Sequence, residues 1–380
     1  MTAKILRFLA EERPETPCLV VDLDVIAENY HSLRRYLPVA DVFYAVKANP
    51  APEVIKLLVG LGSNFDAASR PEIEQVLAAG AAPESISFGN TIKKQRDIAW
   101  AYEQGVRLFA FDSEAELAKL AESAPGAKVF CRILMSCDGA EWPLSRKFGC
   151  DADMARDLLI RARDLGLDPY GVSFHVGSQQ TMLDQWDIAV GRTAMLFSAL
   201  NAAGIELKMI NLGGGLPAHY RSDVAPVDVY AEAIMRAMTK HFGNNLPRMI
   251  TEPGRSLVGD SGIIESEVVL ISRKSYDDDV RWVYLDIGKF GGLAETMDEA
   301  IKYRMHTANE EETARDATGP VILAGPTCDS ADILYEKNQY QMPLSLQVGD
   351  RVRILSTGAY TTSYSSVNFN GFAPLKAYFI

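Results

Sequence analysis

Positive charge is scarce in this sequence. Its 380 residues carry 38 Lys and Arg against 50 Asp and Glu, a formal net charge of −12. That balance argues against unspecific attraction to nucleic-acid backbones or anionic membranes and suits a small cationic partner better. Cysteine is also sparse: Cys18, Cys131, Cys137, Cys150 and Cys328 are scattered, odd in number and without a C-x-x-C pair. A disulfide framework and a zinc site are both disfavoured, no metal is expected, and a reducing cytoplasm fits. Long hydrophobic runs are missing as well. The stretch 1–17 holds only a short apolar patch broken by charges, and no later run approaches the roughly 20 apolar residues of a membrane span. A soluble protein is expected. Repeats and low-complexity tracts are absent too. What remains is ordinary globular composition, 48% hydrophobic and 23% charged, enough for a large buried core.

From Val42 onward, short β-branched or aromatic runs alternate with helical patterns. Eight runs are present: Val42–Val46, Ser63–Ala67, Ser85–Phe88, Arg107–Phe111, Lys128–Leu134, Tyr170–Val176, Lys208–Leu212 and Arg248–Glu252. Between them, Glu53–Gly60, Pro71–Ala79, Lys93–Gln104, Ser113–Glu122, Ala152–Leu165, Leu183–Ala203 and Val227–Phe242 carry helical periodicity. Starts such as Asp112/Ser113 and stops such as Gly80 and Gly204 frame them. Strict alternation of this kind predicts an α/β fold, a (β/α)8 TIM barrel over 24–262, with a doubly wound open sheet as the alternative. After Gly262 the texture changes to strand-like runs, Glu265–Ser272, Arg281–Asp286, Pro320–Leu323 and Arg351–Leu355, joined by Gly, Asp and Pro turns. Residues 263–380, together with 1–23, are expected to form a mostly-β domain, sandwich- or barrel-like.

In such a barrel, function gathers at the carboxyl ends of the strands. The expected strands end in Lys47-Ala48-Asn49-Pro50, in Asp66, around Arg132, in His175-Val176-Gly177-Ser178, in Gly213-Gly214-Gly215 and in Glu252-Pro253-Gly254-Arg255. Each piece alone has a bland reading. A lysine at a strand end is ordinarily solvated or ion-paired, and a histidine between Phe174 and Val176 is as readily a core residue. Glu252 alone suits a structural salt bridge, and three glycines can serve any tight turn. Together they are more specific. A lysine can bind an aldehyde, a histidine can stack on a ring and a carboxylate can keep a ring nitrogen protonated, while successive backbone N–H groups hold phosphate. These are the needs of pyridoxal phosphate.

The chain resembles the fold-type III, alanine-racemase-like pyridoxal-phosphate decarboxylases, and within them the ornithine/lysine decarboxylase family. The likeness spans nearly the whole chain. It rests on Tyr44–Asn49, Phe65–Ser69, Phe174–Ser178, Gly213–Gly215, Glu252–Arg255, Gly325–Asp329 and Gly358–Tyr360, in family order. The resemblance implies a Schiff-base lysine at Lys47, His175 stacked on the ring and Glu252 paired to the ring nitrogen. It further implies phosphate held by Ser178, Gly213, Gly214, Gly215, Arg255 and Tyr360, with Gly254 in the same loop. Asp66, Glu72 and Arg132 would line the cofactor site. The family is a head-to-tail homodimer with shared sites, so Cys328, as the proton donor to the substrate α-carbon, and Asp329, for the distal ammonium, would serve the partner.

The reaction so implied is decarboxylation of a small basic amino acid, L-ornithine to putrescine first and L-lysine to cadaverine second, as in polyamine biosynthesis. Diaminopimelate decarboxylases carry Cys-Glu where this chain has Cys328-Asp329, which favours a substrate ending in a simple amine. A second acidic position on the segment 290–300 is placed by ungapped register at Glu299, beside Asp298, with Glu295 also near. The chain stops soon after Gly371-Phe372, without the degradation-signalling tail of some eukaryotic relatives, so a bacterial-type enzyme is expected. The competing readings are an amino-acid racemase on the same barrel, a diaminopimelate decarboxylase, and a catalytically silent homologue of the antizyme-inhibitor kind. Retention of both Lys47 and Cys328 speaks against the last.

Overall fold

All eight runs expected of the parallel barrel form strands. The computed structural model describes residues 1–142, 147–307 and 317–380, and the chain forms two compact units. One comprises residues 27–217 and 224–256. Its strands, here β1 to β8, are Ala40–Ala45, Asn64–Ala67, Ile86–Phe88, Leu108–Phe111, Lys128–Arg132, Asp168–Ser173, Met209–Asn211 and Arg248–Thr251. They close into a parallel barrel, with Met249–Thr251 of β8 paired to Ala40–Val42 of β1. A doubly wound sheet would have left two open edges, and this closure leaves none.

Helices Pro52–Gly60, Arg70–Ala78, Gln95–Glu103, Glu114–Ser123, Ala152–Asp164, Asp184–Ala202 and Val227–Phe242 follow β1 to β7 in turn. Their starts are written locally. Ser69 and Ser113 accept the N–H of Glu72 and Glu116, each at 3.4 Å, and Asp151 accepts that of Met154 at 2.8 Å. Gly80 and Gly204 end helices at φ +99° and +77°, a backbone region strained for any residue with a side chain. Inside the barrel, Phe43 of β1, Leu108 and Ala110 of β4, Phe130 of β5, Met209 of β7 and Ile250 of β8 form one buried cluster. Only side chains pointing inward can meet from strands so far apart around the ring. Each large side chain buried there contributes about 1.5–3 kcal/mol, and the plug confines polar chemistry to the strand ends. One feature of the unit was not anticipated. Ala140–Trp142 and Ser178–Gln180 pair as a small antiparallel sheet, each too short to show a period.

The other unit comprises residues 1–26, 218–223 and 257–380. Its eight-stranded sheet is organised by the long strand Gly262–Ser272. The first part of that strand pairs with Cys18–Val21 and Arg351–Leu355, and after an irregularity at Val268/Leu270 the rest pairs with Arg281–Leu285. Thr318–Ala324, Ile333–Pro343, Met305–Thr307 and Lys376–Phe379 complete the sheet. The charge-broken patch at the N-terminus is an amphipathic helix, Ala3–Glu12, capped by Thr2. Its Ile5 and Leu9, one turn apart, pack with Cys18, Val20, Ile263 and Leu355. Among the described residues no helix is long and apolar enough to cross a membrane, and no three His, Cys, Asp or Glu are grouped to hold a metal.

Candidate active site

Each residue expected on the barrel rim lies at the carboxyl end of a barrel strand or in the loop or first helical turn that follows. Lys47 sits in the one-turn helix Val46–Ala48 after β1 and reaches solvent. Asp66 belongs to β2 and Glu72 to the first turn of Arg70–Ala78, where its carboxylate accepts the N–H of Ala68 at 2.6 Å. Arg132 ends β5, His175 follows β6, and Gly213 to Gly215 follow β7. Glu252, Gly254 and Arg255 come directly after β8.

Electrostatics bind these groups into one cluster. Burial, then the charge of Glu252, pushes the Asp66 carboxyl well above the usual carboxylate range, with Lys47 and Arg132 pulling the other way. Glu72 is also raised, chiefly by burial. His175 is held well below the ordinary imidazole value by burial first, then by Arg132 and Lys47. It is therefore neutral at physiological pH. Its tautomer follows from a hydrogen bond: Gly177 N–H donates to Nδ1 at 2.9 Å, so Nδ1 accepts and the proton resides on Nε2.

The glycine run forms a cradle in which close approach is the reason for glycine. A Cβ on Gly213 would lie 2.3 Å from the Phe174 carbonyl oxygen. One on Gly214 would lie 2.7 Å from the Glu252 carbonyl oxygen and 3.3 Å from His175 Nε2. Gly213 has φ +66° and Gly215 +99°, so only glycines fold the chain here without strain. Nearby, Arg255 Nε donates to Ser178 Oγ at 3.1 Å, joining two of the expected phosphate ligands. Asp66 Oδ1 is among the buried atoms of the described residues that have no hydrogen-bond partner. A buried acceptor left unpaired beside a lysine and an arginine is costly, and a site that takes a ligand explains it.

Asn211 was missed in the sequence. At the end of β7 it donates from Nδ2 to Glu252 Oε1 at 2.5 Å, while its Oδ1 accepts the Gly213 N–H at 2.9 Å. A polar residue just ahead of three glycines was its only local signal.

The remaining expected residues belong to the other unit. Tyr360 is half-buried, with φ +55°. Cys328 and Asp329 are exposed on the loop 325–332. The Cys328 N–H donates to Asn370 Oδ1 at 3.0 Å, and Asp329 Oδ1 accepts from Ala331 N–H at 2.8 Å. A second residue not foreseen, Asp332, shapes this loop from within. It is buried, and its carboxylate accepts from Lys289 N–H at 2.8 Å, from Thr327 Oγ1 at 2.7 Å and from Thr327 N–H at 3.2 Å. A Cβ on Gly288 or Gly325 would come within 2.2 or 2.3 Å of that carboxylate.

Glu299 takes a place other than the one expected of it. It is buried, and its carboxylate accepts from the N–H groups of Glu336, Lys337 and Asn338 and from Asn338 Nδ2, at 2.6–2.8 Å. Two oxygens with about four lone-pair sites are thereby filled, which leaves no acceptor for a substrate ammonium. These bonds hold Glu299 below the usual carboxylate range against the opposing effect of burial. Asp298, next to it, is exposed with φ +51°, and Glu295 is buried.

A solvent-reaching lysine and a close-packed glycine run on one barrel rim suit a class: barrel enzymes that carry a phosphorylated carbonyl cofactor. Comparison with known proteins makes the class particular. The profile of the family described as "Pyridoxal-dependent decarboxylase, pyridoxal binding domain" matches residues 23–259, and the chain belongs to this family. Its cofactor is pyridoxal phosphate, and the lysine, cradle and orphaned carboxylate oxygen fit that group. A lysine/ornithine decarboxylase of Selenomonas ruminantium is 35% identical over 374 residues, 98% of this chain and 91% of that protein. The solved lysine/ornithine decarboxylase of Vibrio vulnificus, complexed with cadaverine, is 27% identical with a TM-score of 0.88, covering 100% of this chain and 99% of that one. The Paramecium bursaria Chlorella virus arginine decarboxylase bound to agmatine is 26% identical with a TM-score of 0.91, covering 100% of both chains.

Proposed function

We propose that this protein decarboxylates small basic L-amino acids, L-ornithine to putrescine foremost and L-lysine to cadaverine second, as a step of polyamine synthesis. The observation that carries the reading is the coupling of Lys47, Asp66, Arg132, His175 and Glu252 on one rim. Bound pyridoxal phosphate supplies an electron sink for the pair left behind when a carboxylate departs as carbon dioxide.

The chain's own groups do the rest. Lys47 is the amine that would hold the cofactor's carbonyl carbon. His175, neutral, offers an uncharged flat ring, which avoids placing a second cation beside a protonated pyridine. Glu252 would face the ring nitrogen. Ser178, Gly213, Gly214, Gly215, Gly254 and Arg255 would hold the phosphate, with Asp66, Glu72 and Arg132 lining the site.

Cys328 would deliver a proton from Sγ to the substrate α-carbon. Asp329 would accept the distal ammonium, a charge-assisted contact that rejects neutral side chains. With Glu299 engaged by residues 336–338 of the strand Ile333–Pro343, Asp329 is the acid this reading rests on, and Asp298 is the exposed acid that remains for a secondary contact. We further propose a homodimer in which each site takes Cys328 and Asp329 from the other chain. Their exposure within a single chain supports this, and five free cysteines suit a reducing cytoplasm.

Borohydride reduction of the holoenzyme followed by peptide mapping tests the assignment. The reduced cofactor is expected on the peptide containing Lys47. A label on another lysine would overturn it.

A further inference from the structure

We propose that Asn211 is a positioning residue that locks the Glu252 carboxylate to the glycine nest through one side-chain amide, and that this position must be an amide and not an acid. The proposal rests on the reading of Glu252 and the nest as the two ends of the cofactor site.

Asn211 is fully buried as the last residue of β7. Its orientation is dictated by its neighbours. Gly213 presents an N–H, so the atom facing it at 2.9 Å is an oxygen, and the NH2 group is turned to Glu252 Oε1 at 2.5 Å. The backbone repeats the link: Glu252 N–H donates to Gly213 O at 2.8 Å, and Thr251 Oγ1 donates to the same oxygen at 3.3 Å. Gly214 then sits against the Glu252 carbonyl and His175 Nε2. No hinge remains between carboxylate and nest. Displacing either moves both, so one amide sets the spacing between the group facing the ring nitrogen and the groups facing the phosphate.

An aspartate side chain has the same shape but not the same donor. At position 211 it still accepts the Gly213 N–H through one oxygen. Its other oxygen, however, would face Glu252 Oε1 across a hydrogen-bond distance, which two anionic oxygens hold only by sharing a proton. The protonated acid reproduces the donor–acceptor pattern of the amide, and the ionised acid does not. The charged groups around this pair are Asp66 on β2 and Arg132 at the end of β5, both of which feel the charge of Glu252, together with Lys47 and Glu72, which act on Asp66. His175, across Gly214, stays neutral because its value is held well below the ordinary one.

The test is equilibrium dialysis of the full-length chain against pyridoxal phosphate from about pH 6 to about pH 9, for wild type and three variants. Asn211→Asp is expected to bind within about 3-fold of wild type at the acid end and at least about 10-fold more weakly at the alkaline end, since ionisation leaves two buried anionic oxygens facing each other with no proton between them. Asn211→Ala should be weakened equally at every pH. In Asn211→Asp combined with Glu252→Gln, the carboxamide at 252 donates in the reverse sense and the pH dependence relative to wild type should vanish. Thermal melting of each protein without cofactor checks that it is folded, and comparing the Asp variant with its double does not depend on the Ala variant. Asn211→Asp tracking wild type throughout, or losing affinity equally at every pH, would overturn the proposal. Absence of binding by wild type itself would instead strike the cofactor assignment.

Discussion

On the barrel rim, burial displaces Asp66, Glu72, Arg132 and His175 from their ordinary behaviour; on the loop 325–332 the two groups of interest, Cys328 and Asp329, stand exposed. Yet the loop is no less ordered. Asp332 pins its ends through three hydrogen bonds to Lys289 and Thr327, and Asn370 holds the Cys328 backbone. The rim is built in polarity and the loop only in shape. Electron-sink chemistry needs a low-dielectric setting at all times, and the chain provides it internally. Under the proposed roles, Cys328 and Asp329 need a fixed frame, which Asp332 and Asn370 supply.

If that division holds, rim and loop substitutions separate cofactor retention from turnover. The largest effect is expected for Lys47→Ala, with kcat/KM lowered on the order of 10⁴-fold or more and no cofactor absorbance surviving exhaustive dialysis. Cys328→Ala should lower kcat by roughly 10²–10⁴-fold while the cofactor content measured by absorbance stays at the wild-type level. Loss of cofactor in that variant would erase the distinction between the regions. Asp332→Ala, which touches neither cofactor nor reacting atoms, should cost about 10- to 100-fold in kcat through misplacement of the loop, again with full cofactor content, and Asp332→Asn should recover part of it by restoring one acceptor oxygen.

The smallest effect concerns stability alone. Lys93, buried in the barrel unit, pairs with Glu116 at 3.0 Å and donates to the carbonyls of Asn90 and Ala110 at 2.8 and 2.6 Å. Burial nevertheless takes its ammonium from 10.5 down to about 8. The unfolded chain therefore binds the extra proton between those values, and this group's contribution to stability rises with pH across that window. Relative to Lys93→Met, wild type should gain about 2 kcal/mol between roughly pH 8 and pH 10, read from urea midpoints. A constant difference would mean that the ammonium pays no burial penalty.

How far the sequence foretold each region follows the same physics. The barrel strands were legible because short β-branched or aromatic runs alternate with helical segments, three of them capped by Ser69, Ser113 and Asp151, and strand ends then located Lys47, His175 and Glu252. Asn211 and Asp332 were not legible. Asn211 is meaningful only through Glu252, forty-one positions on, and Asp332 through Lys289, forty-three positions back. Neither pairing has a local signal. Glu299 shows the opposite error, since an acidic residue in register with a family position says nothing about which donors surround it, and here the backbone of 336–338 takes all its oxygens. The strand Ile333–Pro343 was missed for a related reason: exposed Glu336, Lys337 and Asn338 interrupt its alternation.

The central claim is decarboxylation of a small basic amino acid. It is tested most directly by incubating the full-length holoenzyme with L-ornithine, L-lysine, L-arginine and meso-diaminopimelate together and quantifying every product. The account predicts putrescine as the main amine, cadaverine second, with carbon dioxide in equal molar amount. Agmatine as the main product, L-lysine formed from diaminopimelate, or racemised substrate without amine would contradict it.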